Sequence, residues 1–186
     1  MLYTDLKELP KYFDRYIKLV PEDMHLMDAL HKYGPEYYRA DLDILNEIGD
    51  RVYAADKWSI KDILQHLIDA ERVFTYRAMC FSRAEKIQLP SFDEDGYALE
   101  ARASHRLLED LFEEMHLLRQ STIALFSSFD THHLQSIGQT ISASISVPAI
   151  SRCISGYSAK LSRNLPAVMA PASRPPGRAR GLPQRR

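Results

Sequence analysis

The segment 58-WSIKDILQHLIDAERVFTYR-77 decides the fold, because it predicts a long amphipathic helix with a well-marked start. Ser59 and Asp62 fit a capping box, in which each side chain accepts a hydrogen bond from the backbone N–H of the other residue. Apolar side chains recur at steps of three and four along a helix from about 59 to 83, which places them on one face. They are Ile60, Ile63, Leu64, Leu67, Phe74, Ala78 and Phe81.

His66 lies at the edge of that apolar face, with Asp62 one turn before it and Asp69 one turn after it. A carboxylate can accept one ring N–H of an imidazole and leave the other nitrogen free to bind a metal. The local sequence also fits a surface histidine beside two acids. Taken alone, it favours this ordinary interpretation. Glu71 lies nearer the middle of the apolar face and needs a cationic partner, because burying a lone carboxylate is costly.

The N-terminal part of the chain predicts a helix with interruptions. Helical periodicity occurs at about residues 10–19, 23–33 and 35–48. A glycine–proline pair at 34–35 interrupts the pattern, and Gly49 closes it. No stretch combines period-two alternation with turn signals, so no β-structure is expected.

Two further long helices follow. The first has Ser104 as its candidate N-cap and an apolar seam at Leu108, Leu111, Met115, Leu118, Thr122, Leu125 and Phe129. The second begins near Ser146, is expected to stop at Pro166, and repeats the same spacing at Val147, Ile150, Ile154, Tyr157 and Leu161. Residues 128–144 between them are expected to form a linker. Three long helices and one interrupted N-terminal helix predict an all-α, up-and-down four-helix bundle.

Composition narrows the class of protein. The 186 residues, 45% hydrophobic and 26% charged, suffice for one domain with a core. The acidic N-terminal segment argues against a secretory signal, and no stretch reaches the length of a membrane span. Two separated cysteines, Cys80 and Cys153, favour a cytoplasmic protein without disulfides. No nucleotide-binding loop, serine-hydrolase elbow or H-E-x-x-H motif occurs.

Charge is unevenly distributed along the chain. Residues 1–133 carry a formal charge of −9, whereas residues 134–186 contain eight Lys or Arg and no acid, which gives +8. The Pro-, Ala- and Arg-rich segment 166–186 cannot bury enough apolar surface to offset the entropy of ordering it. We therefore expect a helical bundle over 1–165 and a disordered basic tail over 166–186. The tail has no interleaved aromatic residues, so nucleic acid is not an expected partner.

Three runs of residues carry a resemblance to a known family. WSIKDILQHLIDAER (58–72) resembles the second-helix signature of the DinB-like (YfiT-like) metalloprotein family. FTYRAMCFSRAEKIQLPSFDED (74–95) is similar to the end of that helix and the following loop in the family. SHRLLEDLFEEMHLLRQSTIALFSSFD (104–130) resembles the third helix. The similarity extends over about residues 8–150.

The resemblance implies a four-helix bundle that is often dimeric and holds a divalent metal, zinc or nickel among others, through three histidines. One histidine comes from the second helix and matches His66. The other two come from a G-H-x-x-x-H motif on the last helix. Asp62 and Asp69 then become candidates to orient His66. Characterised members of the family include thiol-dependent transferases and some hydrolases.

The last helix departs from this pattern. It contains VPAISRCISGYSAKL over residues 147–161, in which Gly156 matches the family glycine. Tyr157 and Leu161 stand where the two histidines are expected, and no histidine follows His133. A catalytic zinc site uses three protein ligands and an open position, and we do not expect Tyr157 or Leu161 to ligate. Two explanations stay open: a natural relative without metal, or a C-terminal part altered by a frame shift.

The resemblance thus implies a DinB-like protein of the metal-dependent transferase or hydrolase type, in particular a thiol-dependent transferase, with an incomplete metal site. Its substrate would be a small thiol or another small molecule. The alternative is a non-catalytic helical bundle that serves as a scaffold or dimerisation protein. A cytoplasmic homodimer without a membrane partner is expected in either case.

Overall fold

The structure is a computed structural model that describes residues 6, 10, 13–39, 41–52 and 57–169, except for the side chains of residues 162 and 164–169. From residue 170 onward, the expected tail lies outside the described residues. The division into a bundle over 1–165 and a tail stays a prediction.

The N-terminal part forms four short helices where the periodicity predicts three helical stretches, because the stretch 35–48 is divided into two helices. They are α1 (Asp14–Ile17), α2 (Leu26–Lys32), α3 (Glu36–Arg39) and α4 (Leu42–Ile48). Helices of this length are not stable alone in water, so each depends on packing against a longer helix. Gly49 ends α4, in agreement with the sequence analysis.

Helix α5 (Ile60–Ser82) begins with the predicted capping box. Ser59 Oγ accepts a hydrogen bond from the Asp62 N–H at 3.2 Å, and Asp62 Oδ2 accepts one from the Ser59 N–H at 3.0 Å. The two bonds satisfy donors that have no partner inside the helix. The buried face agrees with the apolar periodicity and contains Ile60, Leu64, Leu67, Phe74, Ala78 and Phe81.

The segment after α5 is more helical than predicted. Helix α6 (Glu94–Ala101) begins inside the segment 74–95, the later part of which was expected to be a loop. Asp93 starts this helix, because its carboxylate accepts a hydrogen bond from the Gly96 N–H at 3.1 Å. A single 3-10 turn follows at Ala103–His105.

Helix α7 (Leu108–Ser127) starts later than predicted and buries a slightly different face. Its N-cap is Leu107, whereas Ser104 lies in the 3-10 turn, so the assignment of Ser104 as N-cap is wrong. Arg119 is buried, while its neighbour Leu118 in the predicted seam is only partly buried. An arginine is not counted in a pattern of apolar residues. The pattern therefore places the buried face at Leu118, whereas the buried residue is its neighbour Arg119.

The predicted linker between the last two long helices contains regular structure. It forms α8 (Thr131–Leu134) and an antiparallel pair of strands, β1 (Ile137–Gln139) and β2 (Ser144–Ser146). The expectation of no β-structure is therefore wrong at this point. A side chain at Gly138 would overlap the ring of Phe81, so this glycine lets β1 lie directly on α5.

Helix α9 (Val147–Met169) begins where the sequence predicts but does not stop at Pro166. A proline inside a helix removes one backbone hydrogen bond, and here the remaining bonds carry the helix past it. Every residue from Val147 to Ala159 is buried. The helix is thus surrounded by other elements along this part of its length.

The long helices and the N-terminal elements form the predicted four-helix bundle. Helix α5 packs against α7 and α9, and α2 packs against the same two helices. Around the bundle the order is α2, α9, α5 and α7, and α1 packs against α9. The periodicity gives the number of helices but not this order. Within the described residues, no helix has the length and apolar character needed to cross a membrane.

A buried ion pair joins the four walls of the bundle. Arg119 on α7 donates from Nε and Nη2 to the two carboxylate oxygens of Glu71 on α5, both at 2.8 Å. Its Nη1 donates to the carbonyls of Leu30 and Tyr33 at the end of α2, at 2.7 and 2.8 Å. Nη2 also lies 3.3 Å from Ser158 Oγ on α9. The partner that Glu71 requires is thus an arginine from another helix.

Replacing Arg119 by methionine is expected to lower the free energy of unfolding by about 3–5 kcal/mol, because Glu71 would stay buried without its partner. The matched control is Arg72→Met, which removes a half-exposed ion pair with Glu114 and should cost about 1 kcal/mol or less. Urea unfolding followed by circular dichroism measures both values. Equal losses in the two variants would contradict the central role of the buried pair.

Candidate functional site

A cavity of about 380 Å³ lies where α1, α5, α6 and α9 meet. It brings together His66 of α5 with Tyr157 and Leu161 of α9, the three positions that the family resemblance connects. Its remaining lining consists of apolar and aromatic side chains with charged groups among them: Tyr16, Lys57, Trp58, Ile63, Leu67, Glu94, Asp95 and Lys160.

His66 is held among aromatic rings and is only 9% exposed. Its ring centroid lies 4.9 Å from that of Trp58 and 5.7 Å from that of Tyr157. Burial lowers the pKa of the imidazole below its usual value, although the charges of Glu94 and Asp69 act in the opposite direction. The imidazole is therefore neutral at neutral pH, with one nitrogen able to accept and the other to donate.

Tyr157 fills the position of the first expected histidine on α9. Its ring stacks on that of Tyr16, with centroids 3.8 Å apart and planes at 16°. Its hydroxyl donates a hydrogen bond to Glu94 Oε1 at 3.2 Å. Burial raises the pKa of the phenol far above its usual range, and the neighbouring Tyr16 and Glu94 add to the effect. Tyr157 is thus a neutral hydrogen-bond donor, and the anionic form that would bind a metal is disfavoured.

The two aspartates near His66 have other hydrogen-bond partners in this structure. The carboxylate of Asp62 accepts from the N–H and the hydroxyl of Ser59 in the capping box. Asp69 accepts a hydrogen bond from Gln65 Nε2 at 3.1 Å and reaches His66 through its charge. Their assignment as residues that orient a metal-bound His66 stays a prediction.

The donor set of the cavity does not fit the metal that the family resemblance implies. Among the described residues, no three His, Cys, Asp or Glu side chains are grouped so that they could hold a metal ion. Leu161 has no donor atom, and the hydroxyl of Tyr157 is a protonated phenol bound to Glu94. A catalytic zinc site needs three protein ligands, and His66 supplies one. The residues present therefore suit hydrogen bonding and charge recognition better than zinc or nickel binding.

Gly156 positions this aromatic cluster. A Cβ atom at this residue would overlap the backbone carbonyl of Tyr16, so only glycine allows α1 to approach α9 this closely. That approach places the ring of Tyr16 against that of Tyr157. The family glycine is thus retained here for a packing reason that does not depend on metal.

Several residues that line the cavity were not identified from the sequence. Tyr16 lies more than a hundred residues from Tyr157, and Glu94 was assigned to a loop. Lys160 places its Nζ 5.1 Å from the centre of the Tyr16 ring. No local spacing links residues so far apart in the chain. For Glu94, the single signal was its place in the acidic run that contributed to the family resemblance.

The fold and the cavity define a class: four-helix-bundle proteins with a cavity between α5 and α9. The family model described as the DinB superfamily matches residues 39–150, more than half of the chain. The chain belongs to the DinB superfamily, as its sequence motifs predict.

A solved structure supports the same fold. The chain is similar to YfiT from Bacillus subtilis, which is described as a probable metal-dependent hydrolase with an unusual four-helix bundle topology. The TM-score is 0.61 at 13% sequence identity, and the match covers 87% of this chain and 92% of that chain. At this identity the likeness establishes the architecture. No curated protein matches the sequence.

The Gly156→Ala variant is expected to lose about 1–3 kcal/mol of unfolding free energy, because the added methyl group forces α1 away from α9. Ser155→Ala is the matched control. Its buried hydroxyl has no hydrogen-bond partner in the described part of the chain, so its removal should leave stability unchanged or improve it. Thermal and urea unfolding of both variants provide the comparison. A stable Gly156→Ala protein would show that the contact relaxes at little cost.

A titration of His66 by nuclear magnetic resonance should give a midpoint below the usual value of 6.5, because burial outweighs the facing charges of Glu94, Asp69 and Asp95, while Lys160 adds to the lowering. The unfolded chain then binds this proton more readily than the folded one. The stability that neutral His66 contributes is present above about pH 6.5 and is lost as the pH falls. His66→Gln should flatten this part of the stability profile. A midpoint above 6.5 would mean that the acids dominate.

Proposed function

We propose that this chain has the ligand pocket of a DinB-type metal-dependent transferase or hydrolase, and that it binds its small-molecule ligand without a tightly held zinc or nickel ion. The family resemblance supports the ancestral reaction class, of which thiol-dependent transfer is one form. The description of YfiT as a probable metal-dependent hydrolase also supports it. The activity that follows for this chain is binding of a small molecule, with the metal-dependent step lost.

The observation that carries this proposal is the packing of Tyr157. Its ring is stacked on Tyr16, it contacts Phe74 edge-on at 5.5 Å, and its hydroxyl is hydrogen-bonded to Glu94. These contacts engage both the ring and the hydroxyl of the residue that stands where the resemblance leads one to expect a histidine. We therefore treat Tyr157 as part of the packed wall of this pocket and not as a metal ligand.

The pocket has the composition of a binding site for a small amphipathic molecule. Aromatic rings and aliphatic side chains offer apolar walls, and a neutral imidazole at His66 can donate or accept a hydrogen bond. Lys57 and Lys160 supply positive charge, while Glu94 and Asp95 supply negative charge. A ligand with an apolar body and charged groups at its end would match this arrangement.

Metal analysis tests the loss of the ion directly. The purified full chain should contain well under one equivalent of zinc or nickel by inductively coupled plasma mass spectrometry, and titration calorimetry with either ion should show weak binding. His66→Ala should leave both results unchanged. Stoichiometric metal that His66→Ala removes would overturn the proposal.

A gain-of-function variant provides a sharper test of the geometry. The double variant Tyr157→His with Leu161→His places two imidazoles one helical turn apart, in the same cavity as His66. We expect one equivalent of zinc to bind to it at least about tenfold more tightly than to the parent chain. The matched control is Tyr157→Phe with Leu161→Met, which keeps the volume but adds no imidazole. If adding His66→Ala to the double variant leaves zinc affinity intact, the three positions do not form one site.

The second candidate function is a non-catalytic scaffold that forms a homodimer. Three isoleucine side chains are more than half exposed: Ile87, Ile137 and Ile141. They lie on two neighbouring segments whose backbones are joined by hydrogen bonds. Exposed apolar groups of this kind are common at subunit interfaces. Light scattering on a sizing column should give twice the chain mass, and Ile137→Lys with Ile141→Lys should return the mass of one chain. A single-chain mass at high concentration would dismiss this candidate.

A further inference from the structure

A second cavity of about 440 Å³ lies beside the first one, and Glu94 and Asp95 line both. The lining of the second cavity also includes Arg77 of α5 and the hydroxyl-bearing residues Ser91 and Ser142. Neither the family resemblance nor the DinB signature assigns a role to this space. Its chemistry differs from that of the first cavity, because it contains a buried guanidinium.

Arg77 is the unusual member of this lining. It is 5% exposed, and its Nη2 donates to the Pro90 carbonyl at 2.8 Å. Within the described part of the chain no carboxylate lies at ion-pair distance from it, in contrast to Arg119, which is bound to Glu71. Burial lowers the pKa of its guanidinium, which remains charged at neutral pH. A guanidinium has five N–H donors, so a single carbonyl leaves most of its capacity unused.

The lining of the cavity also contains three acidic residues, and the charge of Glu94 acts on Arg77. Asp93 uses its carboxylate to cap α6 through the Gly96 N–H, and Glu94 accepts from the Tyr157 hydroxyl. Asp95 lies at the rim and is exposed. A simple anion drawn to the guanidinium would meet this negative charge, and a simple cation drawn to the acids would lie near the guanidinium. A molecule that carries both charges would satisfy both sides.

We propose that the second cavity binds a free α-amino acid in its zwitterionic form. The carboxylate of the amino acid pairs with Arg77 and accepts from the hydroxyls of Ser91 or Ser142, while the ammonium group faces Glu94 and Asp95. A planar carboxylate matches the fork of a guanidinium, which accounts for arginine at this position.

The apolar part of the ligand also has a place in this cavity. Phe13 and Phe92 line it and offer rings to an aromatic or aliphatic side chain. The volume lies within the range of pockets for small ligands and exceeds what an amino acid needs. This ligand occupies a cavity separate from the one that contains His66, so the inference goes beyond the small-molecule binding proposed above. It does not depend on whether a metal binds at His66.

Calorimetric titration of the full-length chain with L-phenylalanine and with L-leucine tests the inference. We expect saturable binding of at least one of them. L-phenylalaninamide, which lacks the carboxylate, and N-acetyl-L-phenylalanine, which lacks the ammonium group, should each bind at least about tenfold more weakly than L-phenylalanine. An amide that binds as well as the acid would overturn the proposal, and so would the absence of binding by both amino acids.

Variants of the lining separate binding from folding. Arg77→Gln should reduce the affinity at least about tenfold, and its matched control is Arg83→Gln, at the exposed residue that follows the end of α5. Ser142→Ala keeps every charge and should weaken binding severalfold without affecting the fold. Asp95→Asn should weaken the binding of L-phenylalanine but should leave the binding of N-acetyl-L-phenylalanine unchanged. Equal affinity in Arg77→Gln and Arg83→Gln would overturn the proposal. Where Arg77→Gln fails to fold, Ser142→Ala and the ligand series still decide.

The metal measurements keep this inference distinct from the proposed function. A chain that binds L-phenylalanine and also holds stoichiometric zinc at His66 would support the inference and refute the loss of metal. A chain that holds no metal and binds neither amino acid would refute the inference and leave the loss of metal standing.

Discussion

The ion pair between Glu71 and Arg119 is the contact on which the bundle depends. Because a guanidinium is planar and donates in fixed directions, one residue on α7 sets the position of a carboxylate on α5 and of two carbonyls at the end of α2. Helix α2 has seven residues and no intrinsic stability, so this contact and its apolar face hold it in the bundle. A second buried arginine, Arg152 on α9, donates to the carbonyls of Pro21 and Met24. Both arginines thus secure N-terminal segments through backbone oxygens.

The parts of the fold that the sequence predicts are those set by local physics. Helix α5 follows from its cap and its apolar spacing, and the start of α9 follows from the same spacing. The prediction fails where a distant contact decides the outcome. Arg119 is buried because Glu71 lies opposite to it, and β1 can lie on α5 because Gly138 has no side chain to overlap the ring of Phe81. Helix α9 continues past Pro166, because the loss of a single backbone hydrogen bond does not end it.

The candidate site shows the same division. His66 and the altered positions Tyr157 and Leu161 were recognised from motifs, and the structure places all three at one cavity. The tyrosine stack could not be predicted, because Tyr16 approaches only through the space that Gly156 leaves. Aromatic contacts here connect α1, α5 and α9. The shape of the pocket therefore depends on ring contacts and on a hydrogen bond between residues far apart in the chain.

The burial of α9 on all sides has a consequence for how the protein is made. This helix provides a packing surface for α1, α2 and α5, yet it is the last of these elements to leave the ribosome. The contacts between α9 and the N-terminal helices join residues more than a hundred positions apart, which makes their formation slow and entropically demanding. Until α9 emerges, the apolar faces of the earlier helices have no cover and are open to chaperones. Closure of the bundle therefore cannot precede the emergence of α9 from the ribosome.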